Sequence, residues 1–321
     1  MKRKKTRVVG DYLIALVDLL NQSEALEKFC REYEKVKQGQ GSRKGLRPSF
    51  DECWGRVERF REKFQEWYEG LPDQKPMKEF LKDLQNQSRL TNQARSDADI
   101  EAMLKVTRIK MKSQRFSDTL ILYIPLEFVK DESARATSVF GVICTCAFVF
   151  LEFLAEGMVF RGGMEIGPAG EITEGDIYGP ALKQAHDLES KEALYPRIVV
   201  GKGVCEYLEQ YVAEKKSADW KKRYSAHMAE YARSFLGNDS SDGKCIVDYL
   251  GAGLHNWLLL GKDHSPNALP SARVSVQKAH GFVKSEGARF KAEKNEKLRH
   301  RYEDLMLPYF ASRMHLWEPD K

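Results

Sequence analysis

The run from Val8 to Leu20 constrains this chain most. It is rich in valine, leucine and isoleucine, has Gly10-Asp11 near its start, and still carries an aspartate at position 18. Such a stretch reads as a central strand. A carboxylate on it is costly to bury unless a partner compensates. A second aspartate repeats the pattern. Asp118 lies in Arg115-Phe-Ser-Asp118-Thr-Leu-Ile-Leu-Tyr-Ile, at the start of another apolar run. Two carboxylates side by side repel unless a divalent cation lies between them. A pair of this kind is what two-metal phosphoryl transfer requires. Asp18 could instead cap the next helix, and Asp118 could be the turn residue of a hairpin. That both are flanked by buried-type strands favours the metal site.

The rest of the chain supplies the frame. Asn21-Gln22-Ser23 caps a helix through about Tyr33. Residues 36–49 contain several turn residues and few apolar ones, and read as a loop. From Ser49 to Tyr68, Phe50, Cys53, Val57, Phe60, Phe64 and Trp67 recur at helical spacing, which predicts an amphipathic helix. Shorter helices are expected at about Met77–Leu84 and Asp97–Leu104, so residues 36–104 form a helical insertion between strands. Thr107–Lys112 and Thr119–Leu126 read as a hairpin around Asp118, followed by a core helix at about Thr137–Ala155. Met158–Gly167 is a strand and Gly175–Pro180 a turn. Pro180 suits a helix start, Ala181–Lys191 is that helix, and Tyr195–Val200 is a strand. Beyond Gly203 the chain reads as mostly helical and highly charged. The order predicts an α+β fold with helices on a mainly antiparallel sheet. Its expected divisions are a domain over residues 7–200 and a helical C-terminal extension over 201–321.

Composition narrows the classes. With 321 residues, 42% hydrophobic and 31% charged, the chain can build a real core. Its 52 basic and 47 acidic residues leave a formal charge of +5. That slight excess suits an anionic substrate but gives no sign of nucleic-acid binding. Cys30, Cys53, Cys144, Cys146, Cys205 and Cys245 show no CxxC spacing, and no signal peptide is evident, so a reducing cytoplasm is expected. Cys144 and Cys146 read as small buried hydrophobes rather than zinc ligands. The most apolar stretch, Val139–Leu151, is shorter than the roughly 20 residues a bilayer span needs. It reads as a buried core helix in a soluble protein with no membrane partner.

Along the first strand, Asp18 shares a face with Tyr12, Ile14 and Leu16. At the strand end, Asp18 and the backbone carbonyl of Leu19 can reach a metal, with Asp118 as second carboxylate. Magnesium or manganese would bridge them to substrate phosphates. Asp176 follows Gly175 and reads first as a turn former, Gln114 as a surface residue, and His186 as solvated. Arg161, in the middle of an apolar strand, can pair with a carboxylate, snorkel, or touch phosphate.

Several motifs together resemble a known family. Met158-Val-Phe-Arg-Gly-Gly-Met-Glu-Ile-Gly followed by Gly175-Asp-Ile-Tyr-Gly-Pro-Ala-Leu resembles the C-terminal half of a class III nucleotidyl cyclase. Val17-Asp18-Leu19-Leu20 and Phe116-Ser-Asp118 look like its two metal-aspartate strands. Phe-Ser-Asp-Thr, Arg-Gly-Gly, Tyr-Gly-Pro-Ala-Leu, Leu-Glu-Ser and Tyr-Pro-Arg-Ile-Val-Val look most like the pyrimidine cyclases of bacterial anti-phage (Pycsar) systems. The resemblance covers about residues 8–200, and the order and spacing of the motifs make it fairly specific.

The resemblance implies that Asp18, Asp118 and the Leu19 carbonyl hold two divalent cations, Mn2+ or Mg2+. The 3′-hydroxyl of UTP or CTP would attack the α-phosphate and expel pyrophosphate, giving cyclic UMP or cyclic CMP. Asp176 and Gln114 fall where family members contact the base. A glutamine amide can donate to O4 or accept from an amino group, so the pair does not separate the two pyrimidines. Tyr12 would narrow the pocket against purines. Where purine cyclases carry the transition-state Asn and Arg, this chain has Lys183 and Asp187. Lys183 could still stabilise phosphate charge, or Arg161 or Arg197 could take over. The resemblance further implies a homodimer with sites at the interface, and a downstream effector reached only through the product. The rival readings are a catalytically silent nucleotide-sensing module and a polymerase-like enzyme.

Overall fold

The computed structural model describes residues 9–20, 22–40, 42–71, 108–217, 219–260 and 267–318. Strand β1 (Val9–Leu19) is followed by helices α1 (Gln22–Lys37) and α2 (Arg43–Gly70). The hairpin β2 (Lys112–Phe116) and β3 (Thr119–Pro125) leads into α3 (Glu132–Ala155). Next come β4 (Phe160–Thr173), β5 (Asp176–Tyr178) and α4 (Pro180–Asp187), which continues as a π-helical turn over Leu188–Glu192. Then follow β6 (Ile198–Val200), α5 (Lys202–Ala213), α6 (Trp220–Ser234), β7 (Leu236–Asn238) and β8 (Cys245–Val247). Helices α7 (Ala252–Leu260), α8 (Ala268–Ala292), α9 (Glu296–Arg299) and α10 (Leu307–Arg313) complete the described chain, with a second π-helical turn at His300–Met306.

The fold is α+β. One eight-stranded sheet runs β2-β3-β1-β4-β6-β8-β7, and β5 pairs with β4 beside that path. Only the β4–β6 pairing is parallel among the described strands. The expected central strand is β1, flanked by β3 and β4. Its alternation sorts the two faces. Leu13, Ala15, Val17 and Leu19 enter the main core beneath α2, α3, α6 and α8. Tyr12, Ile14 and Leu16 form a smaller core with Ile177, Ala181 and Ala185 of β5 and α4.

Several boundaries differ from expectation. The helix after β1 runs four residues past Tyr33. The loop expected over 36–49 is shorter, because the side chain of Ser42 accepts from the amide of Gly45 at 3.3 Å and starts α2 there. A side-chain cap satisfies an orphan donor and here outweighs the local glycines and Pro48. The strand expected from Thr107 begins only at Lys112, and the turn expected at Gly175–Pro180 contains β5, Asp176–Tyr178. The strand expected over Tyr195–Val200 shrinks to Ile198–Val200. The helices expected at 77–84 and 97–104 lie outside the described residues.

Helix α3 holds the core expected of it, but for another reason than length. Its 24 residues are long and apolar enough to cross a membrane, yet 89% of its most apolar window is buried inside the fold. Phe150 and Phe153 of α3 meet Phe160 of β4 and Phe60 of α2 in one aromatic cluster. Past residue 200 the chain is not only helical. Strands β7 and β8 extend the same sheet, and Val276, Val283, Tyr302 and Phe310 enter the same main core.

Candidate functional site

The sheet register assembles the first part of the site. Asp18 pairs with Thr119 of β3 on one side and with Arg161 of β4 on the other. The Thr119 hydroxyl donates to Asp18 Oδ1 at 2.7 Å. Asp118 lies not on a strand but in the two-residue turn between β2 and β3, the alternative its sequence had left open. There the Asp118 carbonyl accepts from the Leu19 amide at 3.2 Å, so both aspartates and the end of β1 meet. Its neighbour Ser117 has a φ of +53°, a conformation non-glycine residues rarely hold without external support. Arg61 of α2 donates to the Ser117 carbonyl and braces that turn. Asp18 caps no helix; α1 begins beyond it at Gln22.

The surroundings of Asp18 disfavour its charge. Burial raises its pKa, the Thr119 hydrogen bond opposes this, and the charge of Asp118 raises it further. Arg161 and His186 act in the opposite sense. Arg161 forms an ion pair with buried Glu189 at 2.5 Å, so of its three possibilities the carboxylate partner is realised. Burial raises the pKa of Glu189 too, against the pull of Arg161. Sequence reasoning missed Glu189. Its signal was the Leu-Glu-Ser motif that contains it, to which no role at the site was given.

The approach of α4 to β4 depends on glycine. A Cβ at Gly163 would overlap the Ala185 carbonyl, and one at Gly167 would touch Ala181. Gly163, the second glycine after Arg161, thus lets the helix settle on the strand and bring Glu189 and His186 to the Asp18 end. Lys183 and Asp187 lie elsewhere on α4. The Lys183 side chain is 74% exposed and is bonded to Asp187, with Lys191 on the same carboxylate at 2.9 Å. The Lys183 bond, then that of Lys191, holds Asp187 down at about 2. Arg197 is also engaged elsewhere. It is 1% exposed and bonds Asp239 at 2.6 Å, Asp242 at 2.5 Å and the Glu192 carbonyl at 2.6 Å, so it is a structural cation rather than a phosphate ligand.

A second group lies on the same sheet face. Gln114 is opposite Ile121, which is opposite Leu16, placing it two strands from β1. Its Nε2 donates to Asp176 Oδ1 at 3.1 Å, and its Oε1 accepts from the Ile177 amide at 3.0 Å. The two expected base contacts are therefore brought together. The Ile177 bond also fixes the amide, so Gln114 offers a donor and Asp176 the acceptor. Beside them Glu171 accepts from Lys112 at 2.7 Å and from the Tyr123 hydroxyl at 2.6 Å. Burial raises the Glu171 pKa, but these bonds outweigh it and bring it below the usual value. Tyr12 is not brought to Asp18. It lies six residues along β1, roughly 20 Å away, with its ring 6.3 Å from Tyr123 and 5.9 Å from Phe128.

The donor set at the β1 end fits hard divalent cations. Asp18, Asp118 and the Leu19 carbonyl are oxygen donors, and the charge conflict around Asp18 is one a cation relieves. Among the described residues no group of three or more His, Cys, Asp or Glu converges as a metal cluster. Water would fill the remaining positions, as is usual for magnesium. Comparison of the chain with protein-family models, curated proteins and solved structures gives no match.

Proposed function

We propose that this protein is a pyrimidine nucleotide cyclase of the class III type. In this reading it converts UTP or CTP into the 3′,5′-cyclic monophosphate and pyrophosphate, as a second messenger in anti-phage defence. The observation that carries the reading is the placement of two chemistries on one sheet face. Asp18 sits at the end of β1 with Asp118 in the adjoining turn, and Gln114, two strands away on the face of Asp18, is bonded to Asp176 of β5.

In this reading Asp18 and Asp118, with the Leu19 carbonyl, hold two divalent cations. When bound, these ions supply charge for the α-phosphate and lower the pKa of the attacking 3′-hydroxyl. Thr119 keeps the Asp18 carboxylate turned toward the site through its 2.7 Å bond. Gln114 donates to a base carbonyl or ring nitrogen, and Asp176 accepts from a ring N–H or an exocyclic amine. Uracil O4 with N3–H satisfies the pair, and so does cytosine N3 with its 4-amino group. A homodimer would let the base pair of one protomer face the aspartates of the other, giving isologous sites. The pathway effector meets only the product.

The bond between Lys183 and Asp187 favours a second reading. A lysine already neutralised stabilises little transition-state charge, which suits a silent nucleotide-sensing module. One experiment separates the readings: incubation with equimolar ATP, GTP, CTP and UTP plus Mn2+, with products resolved by mass spectrometry. A single cyclic pyrimidine monophosphate supports the cyclase. Bound nucleotide with no cyclic product supports the silent module, and chains of more than one nucleotide a polymerase.

A further inference from the structure

Far along the sheet from Asp18, two cysteines face each other. Cys205 lies in the first turn of α5, and Cys245 opens β8. They are 40 residues apart in sequence, and their sulfurs are 3.7 Å apart. Both are half-buried and unbridged. They line a cavity of about 230 Å³ together with Arg233, Glu209 and the edge strand β7. The cavity gives a small disulfide access to the pair. It is lined at the β7–β8 edge of the sheet, so the nucleotide chemistry proposed above makes no use of it.

We propose that Cys205 and Cys245 form a dithiol modification site that reacts with low-molecular-weight disulfides such as oxidised glutathione. The Cys205 thiolate attacks one sulfur of the disulfide, forms a protein–glutathione bond and expels one glutathione thiolate. Cys245 then loses its proton and attacks the Cys205 sulfur, forming the Cys205–Cys245 bond and expelling the second glutathione thiolate. The two protein thiols lose two electrons, which reduce one oxidised glutathione to two reduced ones, and the leaving thiolates take up the two protons.

The order of attack follows from the surroundings. The hydrogen bond with Cys245 lowers the Cys205 pKa, against burial and with help from Arg233. The same contact, with burial, raises that of Cys245. Cys205 is thus the attacking thiolate and Cys245 the resolving thiol. The sulfurs, 3.7 Å apart, must approach by about 1.7 Å to reach bonding distance. The other thiols are internal controls. Cys144 and Cys146 are fully buried, with pKa values raised by burial, and Cys30 is exposed and unbridged.

The test uses the full chain. It is treated with oxidised glutathione at pH 7.5, quenched with N-ethylmaleimide, digested and mapped by mass spectrometry. The expected product is a Cys205–Cys245 cross-linked peptide, about 2 Da lighter than the two reduced peptides together. Cys245→Ser should instead accumulate a stable glutathione adduct on Cys205. Cys205→Ser should leave Cys245 unmodified under the same conditions. Recovery of Cys205 and Cys245 as maleimide adducts, at the level seen for Cys30, overturns the proposal. So does an adduct on Cys245 in the Cys205→Ser protein.

Discussion

Gln114 Nε2 donates to Asp176 Oδ1 at 3.1 Å across 62 residues of chain, and the bond joins the edge strand β2 to β5. The same amide accepts from the Ile177 backbone, so both ends of the glutamine are committed and its orientation is set. If this pair reads the base, Gln114→Ala and Asp176→Ala should shift relative use of the four nucleotides by tenfold or more, about 1.4 kcal/mol of discrimination. Gln114→Glu should be worse than Gln114→Ala, because it sets a second carboxylate beside Asp176. Competition assays with mixed nucleotides check this. An unchanged preference in all three variants would remove the pair from the pocket.

Asp18 gives a prediction about pH. Its pKa is raised in the folded chain above the ordinary 3.8, so folding binds its proton more tightly. Its contribution to stability is fully present below the ordinary value and is lost as pH rises through the raised one. Glu189, raised above 4.5, acts with the same sign. In divalent-free buffer at pH 8, Asp18→Asn should therefore melt above wild type, by on the order of 2 °C. Below pH 3.5 that gain should vanish. Added Mn2+ should raise the melting temperature of wild type but not of Asp18→Asn. Thermal scans at both pH values, with and without Mn2+, decide the matter. Equal responses of the two proteins to Mn2+ would contradict the assignment.

Gly163 should tolerate no side chain. Its missing Cβ leaves room for the Ala185 carbonyl, which belongs to backbone and cannot rotate away. Gly163→Ala should cost about 1–3 kcal/mol and displace Glu189 from Arg161. Urea unfolding measures the cost. A variant as stable as wild type would show that α4 does not depend on this close approach.

Arg197 should matter for stability rather than for the reaction. Removing it leaves Asp239 buried without its cation, and breaking a buried pair costs about 3–5 kcal/mol. Arg197→Ala should lose that much in denaturant titration, with no change in nucleotide preference. A loss below about 1 kcal/mol would mean that water replaces the guanidinium.

The strand that carries Asp18 was legible because period-two alternation and a buried charge are both local signals. Its neighbours across the sheet, Thr119 and Arg161, follow from register, which the sequence does not state. Asp118 illustrates the limit. Its residue type suggested a site, but only the hairpin geometry decided that it sits in the turn, beside the Leu19 amide. Lys183 illustrates a different one: its charge was plain, and its bond to Asp187 depends on helix phase and rotamer. Glu189 stayed hidden because its partner is 28 residues away and a π-helical turn sets its direction. Strands β7 and β8 were missed because three-residue strands lack a period long enough to read.

Counting bound metal ions tests the aspartate pair. Mn2+ binding is measured by electron paramagnetic resonance in the presence of 3′-deoxyuridine triphosphate, which binds but cannot cyclise. The comparison is between wild type and Asp118→Ala, whose substitution removes a half-buried turn carboxylate rather than core packing. Wild type should bind two Mn2+ per site and the variant fewer, with unchanged folding by circular dichroism. The same Mn2+ count in both proteins would contradict the claim that the two aspartates form a metal site.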